Sequence, residues 1–237
     1  MELHTHEWGT GGRTALLVHG IQGDHRTWRV IGPALAERGY RVLAVDLRGH
    51  GASPRGTGAT PAERYGPERF AEDLVDTLPV GADLAIGHSM GALALRLAVE
   101  RLKPARAVYS DPAFVYVRPG LGPEPFIGFK RFGTRAFITG MHPKWATEDV
   151  DVELASLACW DSDTALGLWA HPGLSVLPDA PVVPSLVQLA DPSTLVTDED
   201  AAELRRRGFE VRTVPGAGHC IHRDDPAGFL ASLHDWI

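Results

Sequence analysis

The sequence predicts a single α/β domain, a mostly parallel sheet with helices on its faces and an insertion between two sheet strands. Three observations carry this. Strand and helix signals alternate over most of the chain, as a parallel sheet with crossover helices requires. The pentapeptide Gly87-His88-Ser89-Met90-Gly91 joins a short apolar strand to a helical run. The alternation then breaks between about residues 113 and 173, in a block rich in aromatics, Pro and Gly.

The elements follow in order. Leu3 to Trp8 is an edge strand. Thr14 to Val18 is a buried strand ending at His19-Gly20. Thr27 to Arg38 is a helix that stops at Gly39. Arg41 to Val45 is a buried strand closed by Asp46, and Pro67 to Leu78 is helical. Asp83 to Gly87 leads into the pentapeptide. Met90 to Arg101 leaves it as a helix, with Leu93, Leu95, Leu97 and Ala98 apolar. Arg106 to Ser110 is the next strand, ending at Asp111-Pro112. After the irregular block come the strand Ser185 to Ala190, a helix over Asp198 to Arg207, the strand Glu210 to Val214 and a last helix from Pro226 to Ile237. The block at 113–173 is too long for an ordinary loop and too apolar for a disordered linker. Phe126, Phe129, Phe132, Phe137, Trp145, Trp160 and Trp169 give it a greasy face, which reads as a lid over a pocket. The core then comprises 1–112 and 174–237.

Composition narrows the function classes. The chain has 237 residues, 44% hydrophobic, with a formal net charge of −7 and scattered basic residues. That argues against a nucleic-acid surface, which needs a clustered cationic footprint. Arg205-Arg206-Arg207 is the one dense patch, and it reads as a solvated helix end. Two cysteines, Cys159 and Cys220, are expected to be free thiols in a reducing compartment. No basic region followed by an apolar run opens the chain, and no apolar stretch reaches about 18 residues, so a cytoplasmic protein without membrane spans is expected. Of eleven histidines, no pair shows a convincing metal spacing; His4 and His6 share one face of a strand, and no metal is expected there.

The chemistry centres on Ser89. In a Gly-x-Ser-x-Gly turn between strand and helix, the serine is held in strained dihedrals with its hydroxyl exposed, and the glycines let both elements pack closely. A serine hydroxyl needs a base within hydrogen-bond reach and a carboxylate to orient that base. His219, in Gly216-Ala217-Gly218-His219 after the last strand, is the expected base, with His222 a nearby rival. Asp191, directly after the strand Ser185–Ala190, is the expected acid. Asp111 also ends a strand and competes, although a turn before Pro112 would explain it equally. Attack on a carbonyl creates an oxyanion that needs preorganised N–H donors. Met90 N–H supplies one, and Ile21 N–H, in His19-Gly20-Ile21-Gln22-Gly23, the other.

Together with Trp28 and the stretch Asp46-Leu47-Arg48-Gly49-His50-Gly51-Ala52-Ser53, these motifs resemble the α/β-hydrolase-fold superfamily over nearly the whole length. The resemblance implies an eight-stranded sheet, a helical cap inserted after the sixth strand, and chemistry without a cofactor. It treats the Asp46–Ser53 stretch as a structural turn near the site. The strand running straight into Ala190-Asp191-Pro192 departs from the Gly-x-x-Asp of many members and keeps Asp111 in play. Members that open epoxides or displace halide use an aspartate nucleophile, which Ser89 argues against. The expected activity is hydrolysis of a small-to-medium apolar ester or lactone through an acyl-enzyme. The alternatives are a carbon–carbon hydrolase, a thioesterase, or a ligand-binding receptor on the same fold. A small-molecule partner is expected, with monomer and homodimer both open.

Overall fold

The structure, a computed structural model, describes residues 1–237. Seven strands form one sheet: β1 (Thr5–Trp8), β2 (Arg13–Val18), β3 (Tyr40–Val45), β4 (Leu84–His88), β5 (Ala107–Ser110), β6 (Ser185–Leu189) and β7 (Glu210–Thr213). Their spatial order is β1-β3-β2-β4-β5-β6-β7. Only β1, at the edge, is antiparallel. The sheet thus has seven strands where the resemblance implied eight, because a single antiparallel strand precedes the parallel series. The central strands carry helices on both faces, which is why they read as continuous apolar runs. All five residues of β4 and of β6 are buried.

The helices are α1 (Ile31–Ala36), α2 (Pro61–Tyr65), α3 (Pro67–Thr77), α4 (Met90–Leu102), α5 (Glu124–Phe132), α6 (Arg135–Met141), α7 (Thr147–Cys159), α8 (Asp163–Trp169), α9 (Asp198–Arg206), α10 (Ile221–Asp224) and α11 (Pro226–Ala231). The helix expected over Thr27 to Arg38 is divided. A 3-10 turn, His25–Trp28, capped by the Asp24 side chain, precedes α1. The sheet separates two apolar clusters. On one face α3 and α4 pack through Phe70, Leu74, Leu93 and Leu95; on the other lie Trp28, Ile31, Leu35, Phe229 and Leu233. No helix is long and apolar enough to cross a membrane.

Between β5 and β6 the chain leaves the sheet and forms α5 to α8, with a small apolar cluster of its own around Ile138, Val150, Leu157 and Trp160. Two buried groups clamp α7 to the main body. Arg29 binds Asp149 through two parallel hydrogen bonds of 2.8 and 2.9 Å. Arg223 pairs with Glu153 at 2.6 Å while its guanidinium lies 3.5 Å from the centre of the Trp145 ring. The insertion follows the fifth observed strand rather than the sixth, an offset of one that the missing strand explains.

The Asp46–Ser53 stretch forms a turn held by its own polar groups. Asp46, fully buried, accepts from the N–H groups of His25 (2.7 Å) and Ala52 (2.9 Å). Arg48 forms two hydrogen bonds to the buried Asp73 carboxylate, at 2.5 and 2.7 Å, which ties the turn to α3.

Candidate active site

Ser89 sits where β4 turns into α4, with φ +53° and ψ −119°, a region that costs a non-glycine residue about 1–3 kcal/mol. Several contacts hold it there. Its N–H donates to Ser110 O on β5 at 3.0 Å, and its carbonyl accepts from Ala92, Leu93 and Ala113. The flanking glycines are required by close approach. A Cβ at Gly91 would lie 2.3 Å from His19 O, and one at Gly87 would lie 2.7 Å from the Ala92 Cα. Both obstacles are main chain and cannot swing away.

The loop after β2 closes over the serine. A Cβ on Gly20 would meet Ser89 Cβ at 3.1 Å, so the loop backbone lies directly against Ser89. His19 sets this loop from beneath and is fully buried. Leu47 N–H donates to its Nε2 at 2.9 Å, which places the ring proton on Nδ1, and Nδ1–H donates to Gly20 O at 2.7 Å. From the other side, Gln22 donates to Phe126 O at 2.8 Å, joining the loop to the insertion. The N–H groups of Ile21 and Met90 donate to no other protein group. Both residues line the cavity above Ser89, where two free amides can receive a developing oxyanion.

His219 also lines this cavity, and its Nδ1 lies 2.6 Å from Asp111 Oδ2. The expected partner, Asp191, does not reach the imidazole. Its carboxylate instead accepts from Gly216 N–H at 3.1 Å, bracing the turn that leads to His219. The reason lies in the sheet. β5 is the immediate neighbour of β4, so Asp111 emerges one strand away from Ser89, whereas Asp191 emerges two strands away. Asp111 is fully buried and takes φ +37°, and its second oxygen accepts from Ala190 N–H at 3.2 Å. Burial alone would raise its carboxyl. The His219 hydrogen bond and charge outweigh that, and the carboxyl lies below its ordinary range.

His88, the variable residue before the serine, carried no expectation. It is buried, and its Nε2–H donates to the carbonyl of His219 at 3.0 Å. Burial, reinforced by the neighbouring His219, lowers it to about 3, so it stays neutral and serves as a fixed donor. No sequence signal marks it, because that position of the pentapeptide is free. His222, the rival base, is also buried. It stacks on Trp28, with ring centres 4.4 Å apart, and makes no contact with Asp111. The aromatics of the insertion divide their roles. Phe126, Phe129, Trp145 and Trp169 line the cavity, Trp160 is buried against Thr164, and Phe132 and Phe137 face solvent. The cavity measures about 360 Å³.

The sequence and the fold match known proteins. A model of the alpha/beta hydrolase family matches residues 15–232. The chain belongs to that family. It is similar to N-formylmaleamate deformylase of Pseudomonas putida, 26% identical over 257 residues that cover 99% of this chain and 92% of that protein. Among solved structures, an N-formylmaleamic acid deformylase of Pseudomonas putida superposes with a TM-score of 0.78 at 23% identity, covering 98% of this chain and 95% of the other. The enol-lactonase of Burkholderia xenovorans gives 0.75 at 22% identity, covering 99% and 95%. Several other curated relatives match only in part. The chain spans 24% of the length of a dihydrolipoyllysine-residue acetyltransferase component of Cupriavidus necator, at 40% identity over 94 residues.

Proposed function

We propose that the protein is a serine hydrolase that cleaves a small-to-medium apolar ester or lactone through an acyl-enzyme. The observation that carries this reading is the 2.6 Å contact between Asp111 and His219 beside a strained Ser89, under two unclaimed amides. In this reading His219 takes the Ser89 proton as the hydroxyl attacks the carbonyl carbon. Asp111 holds the imidazole in the Nδ1–H tautomer, leaving Nε2 as the base, and stabilises the imidazolium. Ile21 and Met90 N–H groups bind the oxyanion. Collapse expels the alcohol, which takes its proton from His219, and water repeats the sequence to release the acid.

The walls of the cavity support this substrate class. Tyr116, Phe126, Phe129, Leu168 and Trp169 favour an apolar acyl or alcohol group, and about 360 Å³ suits a small molecule. Residues 113–173 act as the lid that supplies those walls. The names of the similar deformylase and enol-lactonase also support acyl transfer to water. Two free cysteines, with Cys159 exposed, support a reducing, cytoplasmic setting.

A panel of p-nitrophenyl esters and lactones, assayed beside a Ser89→Ala variant, tests this. Turnover of at least one panel member, lost by several orders of magnitude in the variant, is expected. Full activity in Ser89→Ala would refute the assignment.

A further inference from the structure

Apart from the residues that line the cavity, three histidines and one aspartate converge from three chain segments. His4 enters from the residues before β1, with His6 two positions on and on the same side of the strand. His25 opens the 3-10 turn that follows the Gly20–Gly23 loop, and Asp46 closes β3. Ligand atoms of His4, His25 and Asp46 all lie within 4.8 Å of one another. His25 Nδ1 is 2.8 Å from Asp46 Oδ1. The imidazoles of His4 and His25 have centres 5.3 Å apart, and His6 stacks on His25 at 4.9 Å with planes 14° apart.

The main chain fixes this placement independently of the imidazoles. His4 N–H donates to Ser53 Oγ at 2.8 Å, and His4 O accepts from Asp46 N–H at 2.9 Å. His25 N–H donates to Asp46 at 2.7 Å. Asp46 is a fully buried carboxylate that pairs with no lysine or arginine; His25 is its one ionisable partner. Hydrogen bonds from His25 and Ala52 hold the Asp46 carboxylate in place as an acceptor for a cation.

We propose that His4, His25 and Asp46 form a binding site for a divalent zinc ion. Two imidazole nitrogens and one carboxylate oxygen are donors that zinc accepts, and tetrahedral bonds of about 2.0–2.2 Å set ligand atoms about 3.3 Å apart. The His25–Asp46 pair is already that close. The His4 ring is exposed and free to swing inward by the remaining ångström or so. The metal replaces the proton shared between His25 Nδ1 and Asp46 Oδ1, and the ring binds through Nδ1 as the neutral imidazole with its proton on Nε2. His6, packed edge-on against Trp8 at 4.3 Å, serves as a wall that keeps the His25 ring in plane. Water completes the fourth position. The bound ion would tie the first strand, the end of the Ile21 loop and the β3 turn into one unit.

The test is equilibrium dialysis of the EDTA-stripped full chain against zinc sulfate, for the parent and His4→Ala. His4 is exposed and lies outside the catalytic machinery, so the variant should fold and keep its esterase rate. The proposal expects one zinc per chain in the parent, a raised Tm on zinc addition, and an affinity at least tenfold weaker in His4→Ala. No stoichiometric uptake by the parent, or a loss smaller than tenfold, would overturn it. X-ray absorption of the zinc-loaded parent gives a second readout. A shell of nitrogen and oxygen alone agrees, and a sulfur ligand from Cys159 or Cys220 contradicts.

Discussion

The two walls of the cavity are built differently. On the sheet side, Ser89, Gly20 and Met90 are placed by main-chain contacts: Ser89 N–H on Ser110 O, Gly91 against His19 O, Gly20 against Ser89. On the insertion side, placement rests on side chains: Arg223 with Glu153 and Trp145, Arg29 with Asp149, Gln22 with Phe126, and Lys144 with Gly216 O. Main-chain geometry tolerates almost no substitution, so the reacting groups are held rigidly. Side-chain clamps can be exchanged one at a time, so pocket shape can drift while the chemistry stays in place. The contrast predicts that changes on the sheet side reduce kcat and changes on the insertion side move KM or stability.

The sharpest way to break this contrast is at the two aspartates. Asp111→Asn should lower kcat by about 10⁴-fold, because the amide favours the wrong imidazole tautomer. Asp191→Asn should cost only a few-fold, since the Asp191 carboxylate touches the His219 loop only at Gly216 N–H and the Asp191 N–H bond to Ala217 O is kept. Equal losses in steady-state assays would contradict the assignment of Asp111. Next in size is the clamp. Glu153→Leu removes the closest carboxylate from the buried Arg223, leaving Asp149 at 3.8 Å, and should cost about 3 kcal/mol of stability. A thermal melt would show this as a Tm lower by about 10 °C, with kcat largely kept in the protein that remains folded. Phe126→Ala, which opens the apolar wall, should raise KM for short acyl esters several-fold and leave kcat within a factor of two or so; a kcat collapse would mean the walls are not separable.

The smallest effect is in acid. The Asp111 carboxyl is depressed in the folded chain, so its stabilising contribution is complete above its unfolded value of about 3.8 and drains as pH falls below that. Acid unfolding of Asp111→Asn should therefore be shallower below pH 4 than that of the parent.

How much of this was legible in the sequence depended on the range of the interactions. The strands over Thr14–Val18 and Ser185–Ala190 were readable to within a residue, because two-sided burial makes each a bare apolar run. The elbow is readable because Gly87 and Gly91, demanded by close approach to Ala92 and His19, stand at fixed positions on either side of the serine. Asp111 was not singled out, because its partner lies 108 residues on and chain order alone fits Asp191 as well. Which of two strand ends faces the imidazole depends on strand order in the sheet, which no local pattern reports. In the insertion α5, α6 and α8 have 9, 7 and 7 residues and contain Gly or Pro, while α7 has 13 but buries Asp149, Glu153 and Ser156 among Val150 and Leu157, which blurs its apolar period. The approach of His25 to His4 likewise depends on the β1–β3 pairing and the fold of the Asp46 turn.

The most direct test of the central claim is intact-mass analysis after treatment with a fluorophosphonate probe. The account predicts one adduct per chain on Ser89 in the parent, none in Ser89→Ala, and strongly slowed labelling in Asp111→Asn but not in Asp191→Asn. A parent chain that takes up no probe, or a Ser89→Ala chain that labels as fast as the parent, would contradict it.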